Sequence, residues 1–328
     1  MATTSPAEAG TLAPGASRRA ERGRTRRSRP SSGAALYRAW WVPVLWILPT
    51  VVVIAAFGIF PFVNTVLLSF TDARPLGGGG AFVGWENYSR LLTDDDFWLA
   101  TRNSVVYAVI AVPLLVLLPL MVAQLVYRRL PGIGFFRTAF YTPVVASMVA
   151  VALVWQNLLN ERGPINTALE RFGLIDSPIP FLSDTTLLLL SAIALTVWKG
   201  IGWYMIFYLA ALANVPGSLY EAAELDGAGP VRRFIHITVP GVRLTMLLVG
   251  IMSGIGSLRV FTEIYVLGGA TGGPGGADRT LPFYIRDTAL DPISGNAGYG
   301  AAVSVALFVL TIGLAIASHK LGGSEDDQ

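Results

Sequence analysis

Six apolar stretches limit what this chain can fold into more than any other feature. They lie at roughly 41–69, 103–127, 135–159, 185–212, 242–267 and 298–318, and as helices rising about 1.5 Å per residue each spans a hydrocarbon core of about 30 Å. An open sheet leaves backbone groups unpaired in lipid, and the stretches lack the strict alternation of a barrel strand, so helices remain. The predicted fold class is all-α, a polytopic membrane protein with about six transmembrane helices. Charge content agrees: 14% of the 328 residues are Asp, Glu, Lys or Arg, against roughly 25% in a soluble domain. That is too little to cover a water-facing surface of this size.

Charge also predicts orientation. Eight arginines (Arg18, Arg19, Arg22, Arg24, Arg26, Arg27, Arg29 and Arg38) precede the first apolar stretch, in a segment rich in Ala, Gly, Ser and Pro. A basic arm can bind nucleic acid. Directly before a membrane span, however, it reads as the positive-inside signal that keeps an N-terminus in the cytoplasm, so no nucleic-acid partner is expected. The apolar run from Trp40 to Phe62 exceeds a signal-peptide core of roughly 7 to 15 residues, so it is expected to persist as a first span. Arg128, Arg129, Arg137, Arg232, Arg233, Arg243 and Lys320 then fall on the inner side, while Asp94, Asp95 and Asp96 fall outside. The expected organisation is a disordered cytoplasmic tail at 1–39, a membrane domain at 40–318 and a cytoplasmic tail at 319–328, in a cell (plasma or inner) membrane surrounded by lipid.

Several chemistries are excluded. The chain has no cysteine, and its two histidines, His236 and His319, are too few for an imidazole metal cluster, so no metal site is expected. A phosphate-binding loop needs Gly directly before Lys, but Lys199 follows Trp198 and Lys320 follows His319. No catalytic residue and no cofactor are therefore assigned. The glycine runs at Gly77–Gly80 and Gly268–Gly276 have no following Lys and read as flexible loops. Pro49, Pro61, Pro113, Pro119 and Pro143 fall inside spans and are expected to bend them; kinked spans can line a cavity, and irregular packing is an equal alternative for any one of them.

The loop between the fourth and fifth stretches, at about 214–241, carries a motif. Glu221-Ala222-Ala223-Glu224-Leu225-Asp226-Gly227 is followed, after nine residues, by Ile237-Thr238-Val239-Pro240. It reads as two short helices about a turn. Pro216 and Ser218 can open the first, with Ser218 and Glu221 forming a capping box. Ala222 and Ala223 keep the helix slim for close approach, Gly227 allows the turn, Phe234 and Ile235 offer apolar anchors, and Pro240 starts the next span.

The full spacing resembles the signature loop of binding-protein-dependent ABC importer permeases, with Val239 in place of Leu. Phe140-Tyr141-Thr142-Pro143, Trp155, Gly163 and Asn166 resemble the third span and following loop of the carbohydrate-uptake members of the maltose and glycerol-phosphate type. Trp198, Leu209-Ala210, Pro216 and Tyr220 are similar to the approach to the signature loop. Phe261, Ile264-Tyr265-Val266-Leu267 and Gly272-Gly273-Pro274 resemble the end of the fifth span, where Thr262 replaces a frequent Asp. The likeness covers about 40–318. It implies that Glu221, Ala222, Ala223, Asp226, Gly227, Ile237 and Pro240 form the helix that docks on a cytoplasmic ATPase. It also implies a second homologous permease subunit, two ATPase subunits that use the ATP, and an extracytoplasmic solute-binding protein. The cargo implied is a sugar, a sugar derivative or a polyol phosphate.

An ionisable residue inside a span is a functional candidate. Lys199 lies near the middle of the fourth stretch with Trp203 one turn on, and Arg259 and Glu263, four apart, share a helical face of the fifth. Two readings stand. With Trp198, Trp203 and Tyr265 these charges line a path for a polyhydroxylated solute; or Arg259 pairs with Glu263 while Lys199 snorkels or meets a partner subunit. An ion-driven transporter calls for inverted repeats and midplane carboxylates, of which only Glu263 is present. A membrane enzyme calls for convergent nucleophiles or metal ligands, which this chain lacks.

Overall fold

The computed structural model describes residues 41–77, 79–127, 131–291 and 295–323. The Arg-rich segment 1–39, Arg128, Arg129 and the last five residues lie outside them. Two units divide the chain, Met1–Ile59 and Phe60–Gln328. In the first, α1 (Trp41–Ile54), with Pro49 inside it, leads into a π-helical turn at Ala55–Ile59.

The second unit is a helical bundle. Its elements are α2 (Phe60–Leu68), α3 (Glu86–Thr93), α4 (Asp95–Tyr127), α5 (Ile133–Val145), α6 (Met148–Leu159), α7 (Pro164–Arg171), α8 (Thr185–Leu212), α9 (Gly217–Leu225) and α10 (Pro230–Arg233). A π-helical turn at Phe234–Thr238 then leads into α11 (Val239–Gly241), α12 (Arg243–Leu258), α13 (Thr262–Leu267), α14 (Leu281–Leu290) and α15 (Ala297–Gly323). Among the described residues no strand forms, as the all-α expectation requires. Four stretches, Trp41–Leu68, Asp95–Tyr127, Thr185–Leu212 and Ala297–Ser318, are long and apolar enough to cross a membrane. Two bent pairs raise the number to as many as six: Ile133–Val145 with Met148–Arg171, bent by 98°, and Pro230–Gly241 with Arg243–Leu258, bent by 73°.

The bends correct two expectations. The third stretch is not one helix over 135–159, because Ala146 (ψ 143°) and Ser147 (ψ 138°) are extended between α5 and α6. Nor is the fifth continuous over 242–267: α12 ends at Leu258, and Arg259–Phe261 separate it from α13. Pro240 does not begin that span; it sits in α11, and α12 starts at Arg243 after the bend at Val242.

α4 and α8 run in the same direction through the centre. Leu115, Leu188, Ile193, Leu195, Ile264 and Phe283 form one buried cluster, and Leu120, Met205, Tyr208, Leu212 and Val249 a second, toward the C-terminal ends of both helices. Lipid tails are as apolar as Leu, so contact between such helices depends on close packing rather than on expulsion of water. Gly202 illustrates this: a Cβ there would run into the Phe140 carbonyl oxygen, so the close approach of α5 to α8 at this point needs the glycine.

The glycine run at 268–276 is a packed turn, contrary to the flexible loop expected. The Gly273 N–H donates to Gly268 O at 2.9 Å and the Asp278 N–H to Gly272 O at 3.0 Å. Gly273 has φ +87°, and a Cβ on it would sit 2.4 Å from Asp278 Oδ2. In the other run, Gly80 packs with equal closeness on the Ala73 backbone, Gly79 has open space around it, and Gly78 is outside the described residues.

Candidate functional site

A cavity of about 300 Å³ opens midway along α8, where α5 breaks. Thr196, Lys199, Trp203, Tyr204, Ser257 and Glu263 line it, from α8, α12 and α13. Helical spacing on α8 puts Thr196, Lys199, Gly200, Trp203 and Tyr204 on one face, and the break before α13 turns Glu263 inward, 8% exposed.

Lys199 ties the cavity to the broken span. At the bend the last carbonyls of α5 lose their helical partners, a costly state at membrane depth. The Lys199 ammonium donates to Pro143 O at 2.9 Å, Val144 O at 3.1 Å and Ala146 O at 2.7 Å. An ammonium has three protons to donate, and a cation suits the negative end of a helix. Lys199 is therefore a cap on a helix 53 to 56 residues away in sequence.

Glu263 is held differently. Thr196 Oγ1 donates to its Oε1 at 3.1 Å, and the Tyr107 hydroxyl lies 2.7 Å from Thr196 Oγ1 and 2.9 Å from Ala192 O. Arg259 does not pair with it, which corrects the shared-face expectation: the interruption after Leu258 rotates the two apart, and Arg259 ends α12 exposed. Two serines of α12 contribute hydroxyls. Ser253 Oγ donates to Gly250 O at 3.2 Å, whereas Ser257 Oγ, in a residue 2% exposed, has no partner.

Of the sequence-predicted path residues, Lys199, Trp203 and Glu263 meet at the cavity; Trp198, Arg259 and Tyr265 do not line it. Trp198 packs against Trp155, ring centroids 5.8 Å apart. Tyr265 stacks on Phe261 at 5.3 Å, with the Arg286 guanidinium 5.1 Å from its ring centre. Sequence reasoning passed over Thr196 and Ser257, and the one signal for Ser257 was its spacing of four from Ser253.

The 214–241 loop forms the helix, turn and helix expected, at the end of the bundle where α8 finishes. Gly227 takes φ +74° between α9 and α10, a conformation open to glycine without strain. No capping box forms: α9 starts at Gly217, its N-cap is Pro216, and Ser218 lies inside the first turn. The hairpin is held instead by Arg233 to Glu224 at 2.9 Å and by Tyr220 to Thr238 at 2.9 Å. Glu221, Ala222, Asp226 and Pro240 are exposed, while Ala223 and Ile237 are half-buried. Leu225 at 89% and Val231 at 70% exposure leave apolar side chains standing out around the turn.

At the opposite end of the bundle, Asp94 joins three helices. Its Oδ1 accepts the N–H of Asp96 at 3.0 Å and of Phe97 at 3.2 Å, starting α4, and its Oδ2 accepts the hydroxyls of Tyr284 (2.6 Å) and Tyr299. Burial alone would raise the Asp94 carboxyl, but those hydrogen bonds outweigh it and hold it below its ordinary value. Asp278 is the contrary case. Burial, and then the Asp184 carboxylate, push it up to about 7, and its Oδ2 has no partner.

Residues 102–319 match the sequence profile of the family described as binding-protein-dependent transport system inner membrane component. The lactose transport system permease protein of Rhizobium radiobacter is 35% identical over 242 residues, 74% of this chain and 80% of that protein. The trehalose/maltose transport system permease protein of Thermococcus litoralis is 32% identical over 290 residues, 87% and 95% of the two chains. Among solved structures, a chain of a bacterial ABC transporter involved in import of the acidic polysaccharide alginate superposes with a TM-score of 0.75 at 21% identity, covering 88% of this chain and 97% of that one. The last likeness is one of fold, and the matched span together with the two relatives decides the grouping: this chain belongs to the family of binding-protein-dependent transport system inner membrane components.

Proposed function

We propose that this chain is the membrane-spanning permease subunit of an ATP-driven importer, carrying a sugar, a sugar derivative or a polyol phosphate through the cavity at Lys199 and Glu263. The observation that carries the reading is that cavity: a hydroxyl-rich hollow at a helix break inside an otherwise apolar bundle, in a chain whose relatives are named for lactose and for trehalose/maltose transport. Trp203 and Tyr204 supply ring faces and Thr196, Ser257 and Glu263 supply hydrogen-bonding groups, the combination that recognises a polyhydroxylated ring.

The hairpin from Glu221 to Pro240 is the ATPase-docking element, with Leu225 and Val231 as its apolar contacts and Gly227 as its turn. In this reading ATP is hydrolysed by two cytoplasmic ATPase subunits, and this subunit needs no cofactor. A second, similar permease completes the pathway, and an extracytoplasmic binding protein delivers solute at the end that carries Asp94. Both termini are cytoplasmic, following the Lys and Arg distribution. Closure of the ATPase pair moves the hairpin, and the bend at Val242 passes the motion to α12 and so to Ser257 in the cavity wall.

Purification of the importer in mild detergent tests this. An ATPase subunit is expected to co-isolate with the wild type and to be lost with Leu225→Asp, together with uptake. Undiminished attachment and uptake in that variant would refute the docking assignment.

A further inference from the structure

We infer that the cavity takes an uncharged polyhydroxylated solute and turns away phosphorylated or carboxylated ones. The inference rests on the pathway reading above and narrows its cargo. Among the described residues Lys199 is the single cation lining the cavity, and on composition alone it looks like an anion receptor. The geometry removes that role, because each of its three protons has a backbone acceptor, at Pro143, Val144 and Ala146. An arriving phosphate or carboxylate finds no free donor on it. The half-charge at the C-terminal end of α5 also offsets part of the ammonium's field.

The remaining ionisable group points the same way. Glu263 presents a buried carboxylate to which Thr196 donates, an acceptor for a solute hydroxyl and a repulsive charge for an anion. Ser257 Oγ, unpartnered and 2% exposed, can give and take a hydrogen bond with such a hydroxyl. Arg259 does not line the cavity.

The test uses the complete importer in detergent, with Trp203 fluorescence as the readout and Trp203→Phe to isolate its signal. Three matched pairs serve as probes: trehalose against trehalose 6-phosphate, maltose against maltose 6-phosphate, and lactose against lactobionate. At least one neutral sugar is expected to quench Trp203, with its charged partner binding at least tenfold more weakly, and Glu263→Gln is expected to shrink that gap by at least threefold. A charged probe that binds as well as or better than its neutral partner overturns the charge selection while leaving the pathway reading intact. If no probe perturbs Trp203, the pathway reading itself fails, and the inference with it. Wild-type protein decides the main comparison, so a variant that does not fold does not block the answer.

Discussion

The cavity at Lys199 and the hairpin at Glu221 satisfy their polar and apolar groups in opposite ways. In the cavity nearly every polar group has a partner within the chain: Lys199 on three carbonyls, Glu263 on Thr196, Ser253 on Gly250. In the hairpin the charged pair Arg233–Glu224 closes the structure, but Leu225 and Val231 are left facing outward at 89% and 70% exposure. The first region satisfies most of its polar groups from within the chain, as backbone and side chains at membrane depth require. The second leaves apolar side chains uncovered, and under the proposed docking role a partner protein covers them.

That contrast breaks most decisively at the hairpin. Leu225→Asp is expected to lower uptake at least tenfold and to strip the ATPase from the purified complex, with the melting temperature of the isolated subunit unchanged. Equal melting with lost coupling is the signature of a surface made for a partner; a large drop in melting would mean that Leu225 serves the bundle instead.

Lys199→Met probes the self-contained region. Three carbonyls lose their donor, and at about 1 kcal/mol or more each, with some recovered from cavity water, the bundle loses about 3 kcal/mol. Thermal unfolding in detergent reads the loss, and Lys199→Arg, which retains donors, is expected to restore part of it. A stable Lys199→Met protein would mean that the break at Ala146 is held by packing alone.

Smaller effects of opposite sign are expected at the end that carries Asp94. Its carboxyl is lowered below 3.8, so its contribution is present above about pH 4 and is lost as pH falls through the folded value. Asp94→Asn should cost about 1 kcal/mol at pH 7, allowing for solvent screening, and the variant should converge with the wild type in acid. Asp278 is raised from 3.8 to about 7, so ionising it costs stability as pH climbs between those values. Asp278→Asn should change little at pH 4 and gain about 1 kcal/mol above pH 7 after the same discount. Melting curves across pH separate the two, and parallel curves for either variant would contradict its assignment.

Much of this architecture is legible in the sequence, for physical reasons that differ by element. The four unbroken stretches follow from length and apolarity alone, which is what a bilayer demands. The breaks are less so: Pro143 marks the third stretch for bending, but Ala146-Ser147 and Arg259-Val260-Phe261, where the helices actually stop, contain neither Pro nor Gly. The first break survives because of a lysine more than fifty residues away, a compensation no local pattern reveals. The hairpin is legible because Glu221-Ala222-Ala223, Gly227, Ile237 and Pro240 keep the spacing of a known signature loop, whereas its expected capping box fails because Pro216 begins the helix before Ser218 can cap it. Lys199, Trp203 and Glu263 stand out as charges or rings among apolar neighbours. Thr196 and Ser257 do not, since a hydroxyl in a membrane helix commonly bonds to its own backbone, as Thr311 does to Leu307 at 2.7 Å. Only the folded arrangement distinguishes Ser257, which has no such bond.

The tight glycine turn over Asp278 has a practical bearing on how the sidedness of this protein can be mapped. A reporter tag or a cysteine for impermeant labelling placed at Gly273 would be driven against the Asp278 carboxylate and would distort what it was meant to observe. Gly79, with nothing within 4 Å of an added side chain, sits on the stretch assigned to the same side of the membrane and offers an undisturbed handle.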